Sequence, residues 1–307
     1  MRKIICLLPF MFLSVYLSAQ ERDLTPVHKP LITLLDSIHR VKSDSLRLLL
    51  NLEFYEKLYR YATENISKGL NLDSVKISNV ASDDGHIRVL SWNIQQNNGD
   101  NIYSGLIIHK LLKSVIRLKA SKSEPVVDSE KTYLNGEWPA GIIYRIIQRK
   151  FHGRSNYTLL IWDGFDKRVS RKSIESLSFD GDHQAVFGAP VFKIREGVRN
   201  RIIYEYSSNA SFTLQYSRQK VNLSGVRKSQ SKINDEMIVL DRLIPLNDDL
   251  KGQRWAYVPA GNTYDAFIYF EGFWTLTEDI IARNEPTRKS ESKKGKKAGL
   301  NLLPEEK

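Results

Sequence analysis

Residues 156–192 read NYTLLIWDGFDKRVSRKSIESLSFDGDHQAVFGAPVF, and the fold is organised around this stretch. Three apolar runs, at 157–162, 174–179 and 185–192, are separated by two polar turns carrying Asp163-Gly164 and Asp180-Gly181. Asp-Gly between such runs is a strong hairpin signal, because glycine accepts the positive φ that a tight strand-to-strand turn needs. The stretch predicts three consecutive antiparallel strands at the centre of a sheet.

Toward the N-terminus the apolar period changes. Leu31, Leu34, Leu35, Ile38 and Val41, then Leu46, Leu49, Leu52, Tyr55, Leu58, Tyr59 and Ala62, recur at three- and four-residue spacing. That spacing gathers one apolar stripe per helix and predicts helices over 30–41 and 44–66, packed on the sheet behind them. From Val75 the period is two. It predicts strands over 86–92, 102–109 and 114–118, turns at 82–85 and 96–100, and a loop over 120–130. The segment 138–148 reads equally as helix or strand.

Beyond the opening stretch, 201–206 and 211–216 read as a hairpin across 207–210, and polar 219–235 reads as a surface loop. Residues 237–243 resume as a strand, and 255–258 and 266–274 flank a turn at Tyr264-Asp265. The expected fold class is α+β: an N-terminal helical pair packed on a large, mainly antiparallel β domain, sandwich or open barrel.

The chain ends differ from its body. Arg2 and Lys3 precede the apolar run 4–17, and Ser18-Ala19-Gln20 offers a cut after Ala19, the pattern of a secretory signal peptide. Fourteen residues are too few to cross a hydrocarbon core of roughly 30 Å. The single cysteine, Cys6, lies inside this signal, and Ile4-Ile5 before it is not a lipidation sequence. The mature chain therefore has no thiol, which excludes disulfides, thiolate zinc sites and a cysteine nucleophile. The expected divisions are a signal peptide at 1–19, a helical segment at 20–72, the β domain at 73–284 and a disordered basic tail at 285–307. Of the formal charge of +11, the signal supplies +2 and the tail +3. The remaining +6, spread along the body, suits solubility or an anionic envelope surface and offers no basic stripe for nucleic acid.

An ordered set of motifs carries a resemblance. Ser82, Asp84-Gly85, Arg88 and Trp92-Asn93 are followed by Trp138 with Tyr144, then by YTLLIWDG at 157–164. FGAPVF at 187–192, RIIYEYS at 201–207, YDAF at 264–267 and GFWTLTED at 272–279 complete it. Across residues 30–284 the chain resembles a family of exported, signal-peptide-bearing proteins of bacteroidete type with no established activity. The resemblance implies export and family identity and carries over no site. The chain has Ile161 where the family pattern has a glycine before the tryptophan, Asp241-Arg242 for Asp-His, and Ala260-Gly261 for Asp-Gly.

Three groups of residues are candidates for chemistry. The turn residues Asp163, Asp166, Asp180, Asp182 and His183 could converge on a hard cation, although neither turn has the alternating oxygen ligands of a calcium loop, and Asp and Gly serve tight turns anyway. Glu205 could join Asp241 as the carboxylate pair of a glycan-directed hydrolase; placed between Tyr204 and Tyr206 on a strand, it reads equally as a surface partner of Arg201 or Arg242. Trp138, Trp162, Trp255 and Trp274 could line a stacking groove for a glycan or peptide, the alternative being core packing. No nucleophile elbow, His-x-x-x-His pair or glycine-rich phosphate loop occurs. The reading is an exported envelope protein, periplasmic, outer-membrane-associated or extracellular, that binds or scaffolds without catalysis. It needs no cofactor, and its partner is an envelope protein or an anionic surface polymer. The secreted hydrolase is the alternative.

Overall fold

Ser43 starts the second helix of the chain by accepting a hydrogen bond from the Leu46 amide at 3.4 Å, a cap worth about 1 kcal/mol. In the computed structural model, which describes residues 28–222 and 232–280, the helical pair is α1 (His28–Arg40) and α2 (Asp44–Asn65). The predicted signal peptide and basic tail lie outside the described residues. No helix among the described residues is long and apolar enough to cross a membrane.

The helices rest on a first sheet of β1 (Ser78–Ala81), β2 (Ile87–Gln95), β3 (Asn101–His109) and β4 (Ser114–Lys122), antiparallel and in chain order. Strand alternation divides its residues. Leu90, Trp92, Ile94, Leu106 and Ile108 pack with Leu31, Leu35, Phe54 and Leu58 of the helices. Ile87, Val89, Tyr103 and Ile107 point the other way. Eight successive residues of β3 are buried, because both faces of this strand are covered. Trp92 finds its polar partner in Asn51 of α2, at 2.7 Å.

The second sheet contains the opening stretch. Its order is β11 (Arg201–Ser207), β7 (Val169–Phe179), β6 (Arg154–Asp163), β5 (Ile142–Phe151), with the short β8 (Ala185–Phe187) on β7. One face shares a core with the first sheet through Ile143, Leu159, Ile161 and Leu177. The other shares a core with a third sheet through Ile147, Leu160, Ile174 and Ile202. That third sheet runs β10 (Gly197–Arg199), β9 (Phe192–Ile194), β15 (Phe273–Ile280), β14 (Tyr257–Phe270), β13 (Lys232–Pro245), β12 (Leu214–Asn222). All its pairings are antiparallel except β9 with β15. The α+β class and the N-terminal helical pair are thus present, and none of the three sheets closes into a barrel.

Several expectations change. The third run of the opening stretch is not one strand, because Gly188 and Pro190 divide it into β8 and β9 on different sheets. Neither Gly164 nor Gly181 has a positive φ; in the second turn His183 takes it, at 63°. The residues 201–206 and 211–216 do not pair: β11 lies on β7, while β12 lies on β13. Tyr264-Asp265 sits inside the long β14 at a register irregularity, and the turn falls instead at Glu271-Gly272. The polar segment at 219–235 is largely strand, since β12 and β13 pair from Leu214↔Leu240 to Asn222↔Lys232; its middle lies outside the described residues. Ambiguous 138–148 becomes strand from Ile142.

Candidate functional site

Two turns, one buried charge network, one cleft and one aromatic groove hold the chemically capable side chains. At the turns, Asp166 accepts the amides of Arg168 and Val169, each at 2.7 Å. Asp180 accepts those of Asp182 and Gln184, at 3.0 and 2.8 Å. These carboxylates replace missing backbone acceptors, as turn aspartates do. Asp182 and His183 are exposed on the second turn. Asp163 is elsewhere: buried, it accepts the Tyr103 hydroxyl at 2.8 Å and the Ser123 hydroxyl at 2.6 Å. Among the described residues no three His, Cys, Asp or Glu side chains are grouped to hold a metal ion.

The charge network lies on the same face of the second sheet as Leu159, Ile161 and Leu177, toward the β7–β11 edge, under the segment 123–133. Arg201 Nε donates to Glu175 Oε2 at 2.6 Å, and both side chains are fully buried. Arg201 Nη1 donates to the Asp128 carbonyl at 2.5 Å. Arg171 Nε donates to Glu205 at 2.7 Å, and its Nη1 and Nη2 donate to the Glu124 and Pro125 carbonyls at 2.6 and 2.9 Å. Arg254 bridges Glu205 and the Pro125 carbonyl at 3.0 and 3.1 Å. Three guanidiniums therefore tie one covering segment to the sheet through its carbonyls, which fits their fork of five donors. Gly188 permits this closeness: a Cβ there would sit 2.5 Å from the Lys131 carbonyl and 2.8 Å from Arg201 Nη2. Burial pushes the Asp163 carboxyl up, and the Ser123 and Tyr103 hydrogen bonds and the Arg171 charge offset this only in part. Burial also pushes Glu175 up, against the pull of Arg201.

Glu205 thus pairs with Arg171 and Arg254, neither of them a partner expected from the sequence. It shares a cleft of about 410 Å³ with Asp241. Asp241 accepts the Thr213 amide at 2.6 Å, and Arg242 in the same cleft is held by Asp265.

The aromatic groove is on the opposite face of the second sheet. Trp162 of β6, Lys172 of β7, Tyr206 of β11 and Tyr144 of β5 line a cavity of about 470 Å³ that opens to solvent, closed on one side by Asn209, Ala210, Ser211 and Phe212. Trp162 and Lys172 are direct cross-strand partners. Tyr144 occupies an irregularity where Ile143 pairs with Ile161 and Arg145 already pairs with Leu160. Such bulges re-aim side chains; the Tyr144 hydroxyl here donates to the Leu214 carbonyl at 2.9 Å. The Trp162 indole packs against Gly164, where a Cβ would sit 2.7 Å from its Cη2. Lys172 Nζ donates to the Phe212 carbonyl at 2.5 Å. Burial lowers the pKa of this ammonium, and Asp241 opposes the shift.

Of the four candidate tryptophans, only Trp162 lines this cavity. Trp138 and Trp274 are core residues whose indoles donate to the Lys119 carbonyl and the Thr158 hydroxyl, at 2.8 and 2.9 Å. Trp255 is half-buried beneath Arg168, 4.4 Å above its ring. The sequence reading missed Lys172, Tyr144, Tyr206, Arg171 and Arg201. Their signal was a charge in phase with apolar residues: Lys172 with Ile174, and Arg171 and Glu175 with Val169 and Leu177. No protein-family model, no curated protein and no solved structure matches the chain.

Proposed function

We propose that this is a non-catalytic binding protein of the cell envelope, exported by its N-terminal signal, whose ligand is an acidic glycan held in the Trp162 groove. The observation that carries the reading is the pairing of an accessible indole with a lysine in one open cavity. Aromatic faces stack on sugar rings, and an ammonium with two unused N–H donors suits a uronate or phosphate group. Asn209 and Ser211 at the rim add neutral donors and acceptors. The sequence supports export and membership of the exported bacteroidete-type family; the layering of hydrophobic clusters supports reading the sheets as a stacked β-sandwich.

The test is a glycan array of uronate-containing oligosaccharides beside neutral ones, probed with the mature protein. Selective binding to acidic sugars, lost in Trp162→Ala and in Lys172→Met, is the expected result. Binding that survives both substitutions would place the ligand elsewhere.

The second reading, a glycan hydrolase, is supported by the cleft that Glu205 and Asp241 share. Its weakness is chemical. The Glu205 carboxylate is already engaged by the guanidiniums of Arg171 and Arg254, which leaves it less free to face a substrate. Glu205→Gln abolishing an observed cleavage would favour it.

A further inference from the structure

We infer that the paired hairpin tips Phe151–Arg154 and Phe270–Phe273 form a docking surface for an anionic lipid bilayer. Both are two-residue turns. Phe151 pairs with Arg154 across His152 and Gly153, at φ 47° and 75°; Phe270 pairs with Phe273 across Glu271 and Gly272, at φ 47° and 82°. Two successive positive φ values define the tightest hairpin turn, which fits the twist of its strands. The tips belong to different sheets, yet they touch: a Cβ on Gly272 would sit 2.8 Å from the Phe151 ring. The two turns thus bring Phe151, Phe270 and Phe273 onto neighbouring tips.

The cluster faces water. Phe270 is 68% exposed and Phe151 37%. Around it stand exposed Lys150, His152 and Arg154. Lys193 adds a further cation, 3.7 Å over the Phe273 ring. Glu271 is the one acid at the two turns. Charge complementarity therefore selects an anionic partner, and the phenyl rings select its kind. The headgroup boundary of a bilayer accepts an apolar side chain flanked by cations. This surface involves none of the groove residues, so its failure would leave the binding proposal standing.

The test is co-sedimentation of the full mature chain with vesicles of phosphatidylcholine plus phosphatidylglycerol, and with vesicles of phosphatidylcholine alone. Binding only to the anionic vesicles, weakened by salt, is expected. Phe270→Ser and the double change Lys150→Glu, Arg154→Glu should each lower the partition by about tenfold with melting temperature unchanged. All three side chains are exposed, so these variants fold. Equal binding to neutral vesicles, or no binding to either, would overturn the inference. So would binding that Phe270→Ser leaves intact and soluble dextran sulfate abolishes, since the site would then recognise a polyanion.

Discussion

Arg201 and Glu175 face each other across β11 and β7 as direct strand partners, joined at 2.6 Å with neither side chain reaching solvent. A guanidinium cannot shed its proton, so the two ends of this pair differ in what their loss costs. Glu175→Gln leaves a buried cation without a counter-charge and should destabilise the fold by about 3–5 kcal/mol at neutral pH, read from urea unfolding. Arg201→Met leaves a carboxyl that can protonate, so its cost should shrink as the pH is lowered. Equal costs at all pH values would mean that the pair is not buried as described.

Asp163 gives the wild-type chain a pH dependence of known sign. Its folded pKa is raised by burial, above the roughly 3.9 of an unfolded aspartate. The stability it contributes is therefore complete below that unfolded value and is lost as the pH rises through the folded one. Asp163→Asn keeps an acceptor for Tyr103 and Ser123 and removes the titration. Its unfolding midpoint should decline less than that of the wild type as the pH is raised from acid toward neutral; parallel declines would remove Asp163 as the cause.

Gly164 is required by space. It lacks the left-handed φ that the Asp-Gly signal implies, but the Trp162 indole occupies the position of its Cβ. Gly164→Ala should cost about 1–3 kcal/mol of overpacking strain. It should also change Trp162 fluorescence, since the ring must move toward the groove. An unaltered spectrum and melting curve would contradict this packing.

The same turn shows what was legible. Hairpin position followed from the alternation of apolar and polar residues and from Asp-Gly punctuation; the role of the glycine did not, since it depends on an indole contact that only the fold creates. The helix bounds were legible to within a few residues, but the phase of α2 was not: Leu46, Leu49 and Leu52 of the expected stripe are exposed, and Asn51 and Phe54 share the buried face with Tyr55, Leu58 and Ala62. Partition into three sheets was not, because β11 and β12 are neighbours in sequence but pair with β7 and β13. Local pattern predicts a strand without naming its partner. Asp163 and Glu205 were read as turn and strand carboxylates, and their arginine and tyrosine partners come from segments about 35 to 60 residues away. Of the aromatic groove only Trp162 was anticipated, because Tyr144 depends on a bulge and Lys172 on which face of β7 opens to solvent.

The central claim is binding without cleavage, and one experiment tests both halves. Wild-type protein, Trp162→Ala and Glu205→Gln are each incubated with uronate-containing oligosaccharides, with affinity followed by calorimetry and products by mass spectrometry. The account predicts that the wild type and Glu205→Gln bind equally, that Trp162→Ala does not bind, and that every oligosaccharide is recovered intact. Shortened products from the wild type that disappear with Glu205→Gln would contradict it and make the Glu205 cleft the working site.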